Sequence, residues 1–390
     1  MDLLVVGGGP GGLASALHAA RAGLDVAVWE QRAGTVDKAC GEGLMPGAVT
    51  ALAALGVHPP GRALRGIRYV AERHRVDADF AAGPGRGVRR TTLHAALREA
   101  VLAAGVRIEQ RTARRVEQDD DGVRVDGARA AHLVAADGLH SPIRRALGLD
   151  RPRRIRSRHG PGREAGGGGS GRGAEQGSAP GAELGSGREA GRGSRHGLRR
   201  HYRLAPWSDH VEVHWAPRAE AYVTPVADDL VGVAVLTAAR GSFDDHLAAF
   251  PELRERLAGS APAGPVRGAG PLRQDTSART AGRVLLVGDA AGYVDALTGE
   301  GIALALAQAQ AAVRAVVEGD VAGYEREWRR LTRRYRWLTH ALLGATRVPP
   351  VRGALVPLAQ RLPWLFTAAV DVLAGPVRGD RAGVLGPARM

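Results

Sequence analysis

Three glycines, Gly7, Gly9 and Gly12, stand in the spacing G-x-G-x-x-G within "LLVVGGGPGGLASALHAARAG". Between an apolar run and a helical pattern, that spacing allows a tight turn and brings backbone N–H groups up to a pyrophosphate at a helix N-terminus. Glu30 closes the next apolar run, where a carboxylate can accept a hydrogen bond from a ribose hydroxyl. A second group, Asp137-Gly138, follows the run "HLVAA" and precedes Ser141, Pro142 and Arg144. A third, Gly288-Asp289, ends "RVLLVGDAAG" and is followed by Gly299 and Gly301 in "LTGEGIALAL". The chain thus carries two glycine-rich strand–turn–helix units at opposite ends, and the first of them points to dinucleotide binding. Cys40, the only cysteine, lies in "DKACGEG". One cysteine excludes an intramolecular disulfide and a four-cysteine metal site. No neighbouring base argues for a thiolate at Cys40, and no histidine shows ligand spacing, so no metal is assigned.

These residues need elements to hold them. Apolar runs place strands at Asp2–Val6, Asp25–Trp29 and His132–Ala136, with an intervening helix at Leu13–Ala22, which makes a βαβ unit. Pro46–Leu55 reads as a helix, and Ile67–Phe80 alternates as half-buried antiparallel strands do. Thr91–Gly105 is an amphipathic helix with a threonine cap at its start. Ala113–Val125 is a hairpin turning at Asp121-Gly122. Ser141 followed by Pro142 is a helix start. A strand at Arg283–Val287 and a long helix from Glu300 to Val317 complete the second unit, and a helix-rich region ends the chain. Residues 156–196 break the pattern: they are dense in glycine and arginine without apolar periodicity, and read as a disordered insertion.

Composition narrows the partners. The net charge is +14, but Lys38 is the only lysine, and residues 151–200 alone hold 12 arginines against 4 glutamates. The excess is concentrated in one segment and no nucleic-acid-binding motif accompanies it, so nucleic acid is excluded as the expected partner. The first strand starts at residue 2, which leaves no room for a signal peptide, and no apolar stretch reaches spanning length uninterrupted. A cytoplasmic protein with possible peripheral membrane contact is expected. The sequence carries no signal for an oligomeric state.

Taken in order, Gly7-x-Gly9-x-x-Gly12, Asp137-Gly138-x-x-Ser141-x-x-Arg144 and Gly288-Asp289 resemble the signatures of the para-hydroxybenzoate hydroxylase superfamily of FAD-dependent oxidoreductases. "GDAAGYVDALTGEGI" and "DKACGEG" are similar to its geranylgeranyl reductase branch, although Ala39 stands where that branch has proline. The resemblance implies an α/β fold: a Rossmann-like FAD-binding domain of glutathione-reductase type, an interleaved antiparallel β-sheet substrate domain and a helical C-terminal region. Expected boundaries are 1–66, 90–150 and 272–320 for the FAD-binding domain, 67–89 and 197–271 for the substrate domain, and 321–390 for a helical cap. The resemblance also implies that the first unit holds the adenosine and pyrophosphate, that Asp289 binds the ribityl chain, and that Thr298–Gly301 aims a helix N-terminus at the flavin pyrimidine edge. Arg90 matches a family arginine that contacts the cofactor, and Cys40 lies in a stretch near the flavin.

FAD with NAD(P)H as transient reductant leaves two reactions open. One is hydroxylation of a lipophilic small molecule, placed first because the strand "EAYVTPVADDLVGVAVL" lacks the aromatic-Trp-x-Phe-Pro pattern of isoprenoid reductases. The other is reduction of carbon–carbon double bonds in an isoprenoid or related lipid. A non-catalytic flavin-binding or basic interaction protein is a remote third.

Overall fold

The computed structural model describes residues 1–151 and 194–375. The insertion expected at 156–196 lies outside the described residues except for its last three, and His196 already opens a strand.

The chain opens with strand β1 (Leu3–Val6), helix α1 (Pro10–Arg21) and strand β2 (Val26–Glu30). All four residues of β1 are buried, the continuous apolar run expected of a parallel strand covered on both faces. The chain then crosses to a second layer, where β3 (Gly66–Ala71) and β4 (His74–Asp79) form the alternating hairpin read from the sequence. It returns through α2 (Arg90–Ala103), β5 (Arg107–Gln110) and β6 (His132–Ala135). The strands β7 (His196–Arg203), β8 (His210–Ala216), β9 (Ala219–Ala227) and β10 (Leu230–Thr237) extend the second layer. Finally β11 (Thr280–Ala281) and β12 (Val284–Leu286) rejoin the first sheet, and four helices follow: α3 (Gly301–Val317), α4 (Gly323–Ala345), α5 (Pro349–Arg361) and α6 (Pro363–Ala374).

The first sheet runs β11-β12-β6-β1-β2-β5, parallel throughout except at β11. Chain order reverses on either side of β1, so the crevice beyond the carboxyl ends of β1, β2, β6 and β12 is a topological switch point, where open α/β sheets bind ligands. The second sheet has eight strands and is antiparallel apart from the β3–β8 pair. This is the mixed α/β architecture expected from the sequence.

One local expectation is corrected. Helix α2 starts at Arg90, and no side chain of its own first turn caps it. Instead Glu42, from a distant loop, accepts the Arg90 N–H at 2.8 Å. A carboxylate at a helix N-terminus satisfies an orphan donor and offsets the positive end of the dipole, so the threonine is not needed. Ser141 does cap its helix, accepting the Arg144 N–H at 2.9 Å.

Candidate functional site

The three glycine turns meet at the carboxyl ends of β1, β6 and β12. At Gly7 the backbone has φ +108°, and a Cβ there would lie 2.8 Å from the Asp137 N. A Cβ on Gly11 would touch Val287 Cγ1 at 3.2 Å and Ala305 Cβ at 3.5 Å, and one on Gly288 would lie 3.6 Å from Ala305 Cβ. Both ends of the chain therefore converge within one side chain's width. The residues are small because three backbones share the space.

Gly9 caps α1 without any side-chain bond, followed by Pro10 in the first turn, which leaves N–H groups of that turn free. Glu30 is oriented by two backbone donors, Gly8 N at 2.7 Å and Arg32 N at 3.0 Å. Nothing lies closer to the open side of Gly9 than Arg90 Nη2, 4.0 Å from where a Cβ would stand. Arg90 is buried, and its Nη1 has no hydrogen-bond partner. Asp137 spends one oxygen on the Ile143 N–H at 3.2 Å and leaves Oδ1 buried and unpartnered. Burial raises the Asp137 and Asp289 carboxyls above the usual carboxylate range. A bare guanidinium beside an open glycine turn, and a free buried carboxylate oxygen across from it, are unmet demands that a dinucleotide would satisfy. The residues present fit FAD.

Lys38 belongs to the same place, which sequence reasoning missed as a site residue. Its Nζ lies 3.1 Å from where a Gly138 Cβ would stand, and crowding by protein lowers its ammonium while Asp289 and Glu30 pull it back up. Its signal in the sequence was its uniqueness: it is the one lysine in an arginine-rich chain.

Cys40 is kept a thiol. Burial pushes it up, and its Sγ accepts the Glu42 N–H at 3.3 Å. That favours a packing role for the loop over nucleophilic attack. The loop itself is clamped by buried polar groups. Glu42, at φ +62°, meets His201 Nε2 through Oε2 at 2.6 Å. Arg199 Nη1 stands 2.9 Å from His201 Nδ1, and an arginine only donates, so Nδ1 accepts and Nε2–H is the donor to Glu42. Arg199 also bonds Asp37 and the Lys38 carbonyl. Arg199 and His201 sit two apart on β7, so both point to one face. Thr224 Oγ1 adds a bond to the Gly41 carbonyl at 2.7 Å.

At the other end of the crevice, Gly299 has φ +71° and its added Cβ would meet Met45 Cε at 3.2 Å; Gly301 begins α3 against the Tyr293 ring. Glu300 between them is buried, with Oε2 unpartnered, and burial alone pushes its carboxyl from 4.5 to about 8. A raised carboxyl means that the folded chain holds the proton more tightly than the unfolded chain does. Stability of the flavin-free protein should therefore fall as pH rises from 4.5 towards 8 and level off beyond, by about 5 kcal/mol in all. Glu300→Gln should remove that slope. Urea denaturation of both proteins at acid and alkaline pH reads it directly, and parallel slopes would contradict the buried, unpaired carboxyl.

Three comparisons bear on this geometry. Residues 1–160 match a family model described as an FAD binding domain. The menaquinone reductase of Mycolicibacterium smegmatis is 29% identical over 98% of this chain and 93% of its own length. The menaquinone reductase of Mycobacterium tuberculosis is 36% identical over 166 residues, which are 38% of this chain and only 40% of that protein. Among solved structures, the flavin-dependent brominase Bmp2 superposes with a TM-score of 0.74 at 15% identity, covering 96% of this chain and 93% of that one, a likeness of fold alone. Fold, crevice and matches together define a flavoprotein. Residues 1–160 carry the FAD-binding match, and over its length the chain is similar to FAD-dependent oxidoreductases. No described helix is long and apolar enough to cross a membrane.

Proposed function

We propose that this protein uses NAD(P)H and FAD to reduce carbon–carbon double bonds of a lipophilic, isoprenoid-type small molecule. What supports a redox flavoprotein is the single crevice where three distant turns bring free backbone N–H groups, the unpartnered Arg90 guanidinium and the free Asp137 oxygen together. What sets reduction ahead of hydroxylation is the length of the resemblance: the relative aligned over 98% of the chain is named a menaquinone reductase. The order read from the sequence alone was the reverse, and the hydroxylation reading keeps one observation in its favour. Strand β9, "AEAYVTPVA", lacks the aromatic pattern of isoprenoid reductases.

Bound FAD would supply the hydride or oxygen-transfer chemistry, and the chain supplies position and electrostatics. Gly7, Gly9 and Gly12 would admit the pyrophosphate against the N-terminus of α1, with Arg90 beside it. Glu30 would hold the adenosine ribose, and Asp137-Gly138 would close the crevice. Asp289 would hold the ribityl chain, with Gly288 giving the turn. Gly299 and Gly301 would leave free N–H groups of α3 facing the pyrimidine edge, where they stabilise negative charge. We assign the second sheet, at 67–89 and 197–271, as the substrate domain, and residues 321–390 as a cap. The apolar cluster of Ile67, Val211, Val213, Trp215 and Leu297 packs that sheet against the C-terminal helices. A cytoplasmic enzyme meeting its substrate at a membrane surface follows from this reading.

The purified protein is expected to be yellow, and Asp289→Ala should weaken FAD at least about tenfold while leaving the unfolding transition intact, because one ribityl partner goes and β12 stays. Equal FAD content would refute the Asp289 assignment. Mass spectrometry of an isoprenoid quinone after turnover separates the chemistries: added hydrogen supports reduction, and an added oxygen atom overturns it.

A further inference from the structure

Helix α6 is apolar on both its buried and its exposed face. Phe366, Val370 and Ala374 are buried against the β3–β4 hairpin and its neighbours, and the Phe366 ring lies 4.5 Å from that of Tyr69. The opposite face carries Trp364, Leu365, Ala368, Ala369 and Val372, spaced i, i+1, i+4, i+5 and i+8, so they form one stripe. All five are exposed, Trp364 to 68%. On α5, Val351, Ala354 and Leu358 share an exposed face, and exposed Leu362 sits at the bend between the two helices.

Charge says what covers this surface. From Trp328 to Val370 the chain has eight arginines and no aspartate or glutamate. Arg347 and Arg361, both exposed, stand at either end of α5. The one carboxylate of α5 and α6, Asp371, is turned inward, its Oδ1 accepting the Ala81 N–H at 3.1 Å. Of those eight arginines, Arg329, Arg330 and Arg352 pair with Glu325, Glu327 and Glu220. An apolar stripe with a tryptophan, beside the exposed Arg347 and Arg361, matches the interface of an anionic bilayer: the apolar face enters the acyl boundary and guanidinium groups meet lipid phosphates. Helix α6 has 12 residues, too short to span and long enough to lie in the plane.

We propose that the α5–α6 hairpin docks this protein on anionic lipid through Trp364, Leu365 and Val372, with Arg347 and Arg361 contacting headgroups. The proposal deepens the lipophilic-substrate reading and rests on it for its purpose, but its test needs no substrate. The full-length, flavin-loaded protein is sedimented with vesicles of phosphatidylcholine alone or with about a third phosphatidylglycerol. Binding is expected with the anionic vesicles, to weaken with salt, and to fall at least about tenfold in the Trp364→Ser/Leu365→Ser double variant, whose FAD content should match the parent's. Three results would overturn the proposal: no binding by the parent, undiminished binding by the double variant, which would place the contact elsewhere on this basic chain, or a parent dimer that the double variant dissociates without any vesicle binding. Vesicle binding by an enzyme that turns over no isoprenoid would leave docking standing and overturn only the substrate assignment.

Discussion

A Gly12→Ala variant is expected to lose its flavin and much of its stability together. The added Cβ would stand 1.8 Å from the Gly7 carbonyl oxygen and 3.2 Å from Ala136 Cβ. Both neighbours are pinned: Gly7 N donates to the Trp29 carbonyl at 2.8 Å, and Ala136 N to the Val6 carbonyl at 2.7 Å. Helix α1 must therefore move away from the sheet, and its core residues Leu13, Ala16 and Leu17 move with it. A loss of about 3 kcal/mol or more is expected, in the range of overpacked cores. Gly9→Ala is the informative contrast, since its Cβ would meet nothing nearer than Arg90 Nη2 at 4.0 Å. It should fold like the parent and still bind FAD poorly, because the methyl occupies the approach to the pyrophosphate. The ratio of flavin to protein absorbance, beside urea denaturation, reads both effects. A Gly9→Ala protein with full flavin would move the pyrophosphate away from this turn.

The contrast between those two glycines is also a contrast in what sequence can reveal. The spacing of Gly7, Gly9 and Gly12 follows from local geometry, as do the buried runs of β1 and β2 and the serine cap at Ser141, so all were legible. Glu42 was not. It caps α2 from 48 positions away and meets His201 from 159 away, and neither distance leaves a trace in local periodicity. The same holds for Arg199 and Asp37, 162 positions apart. In a chain with 54 basic residues, a buried arginine looks like every solvated one until the fold supplies its partner. Arg90 stood out only through family resemblance, and its buried free nitrogen is a fact of packing. The order of the α/β elements was readable because each strand and helix states its own period. The clamp on the Asp37–Gly43 loop was not, because it exists only between elements.

Arg144 shows how far that distinction reaches, and replacing it should be costly. It was visible as the arginine one turn after Ser141, but its work is done elsewhere. The side chain is almost fully buried and its guanidinium contacts four groups from three segments: Asp150 at 2.5 Å, the Ala290 carbonyl at 3.2 Å, the Leu139 carbonyl at 3.1 Å and Gln274 Oε1 at 3.3 Å. Two of those partners flank candidate cofactor residues, Leu139 beside Gly138 and Ala290 beside Asp289. Arg144 therefore ties the second glycine turn to the third. In Arg144→Ala the two carbonyls and Gln274 lose their donor inside the fold and Asp150 loses its counter-charge, so a loss of about 3–5 kcal/mol is expected. Arg144→Lys should recover little, since one ammonium cannot reach groups arranged around a planar fork. Arg144→Met keeps the volume and still leaves those acceptors unpaired. If the role is only to fill space, Met should restore stability and flavin affinity together. If Arg144 positions the two turns, Met should fold better than Ala yet bind FAD as weakly as Ala does. Urea denaturation set beside FAD titration decides between them, and an Arg144→Met protein with parental flavin affinity would show that the turns hold their places without the arginine.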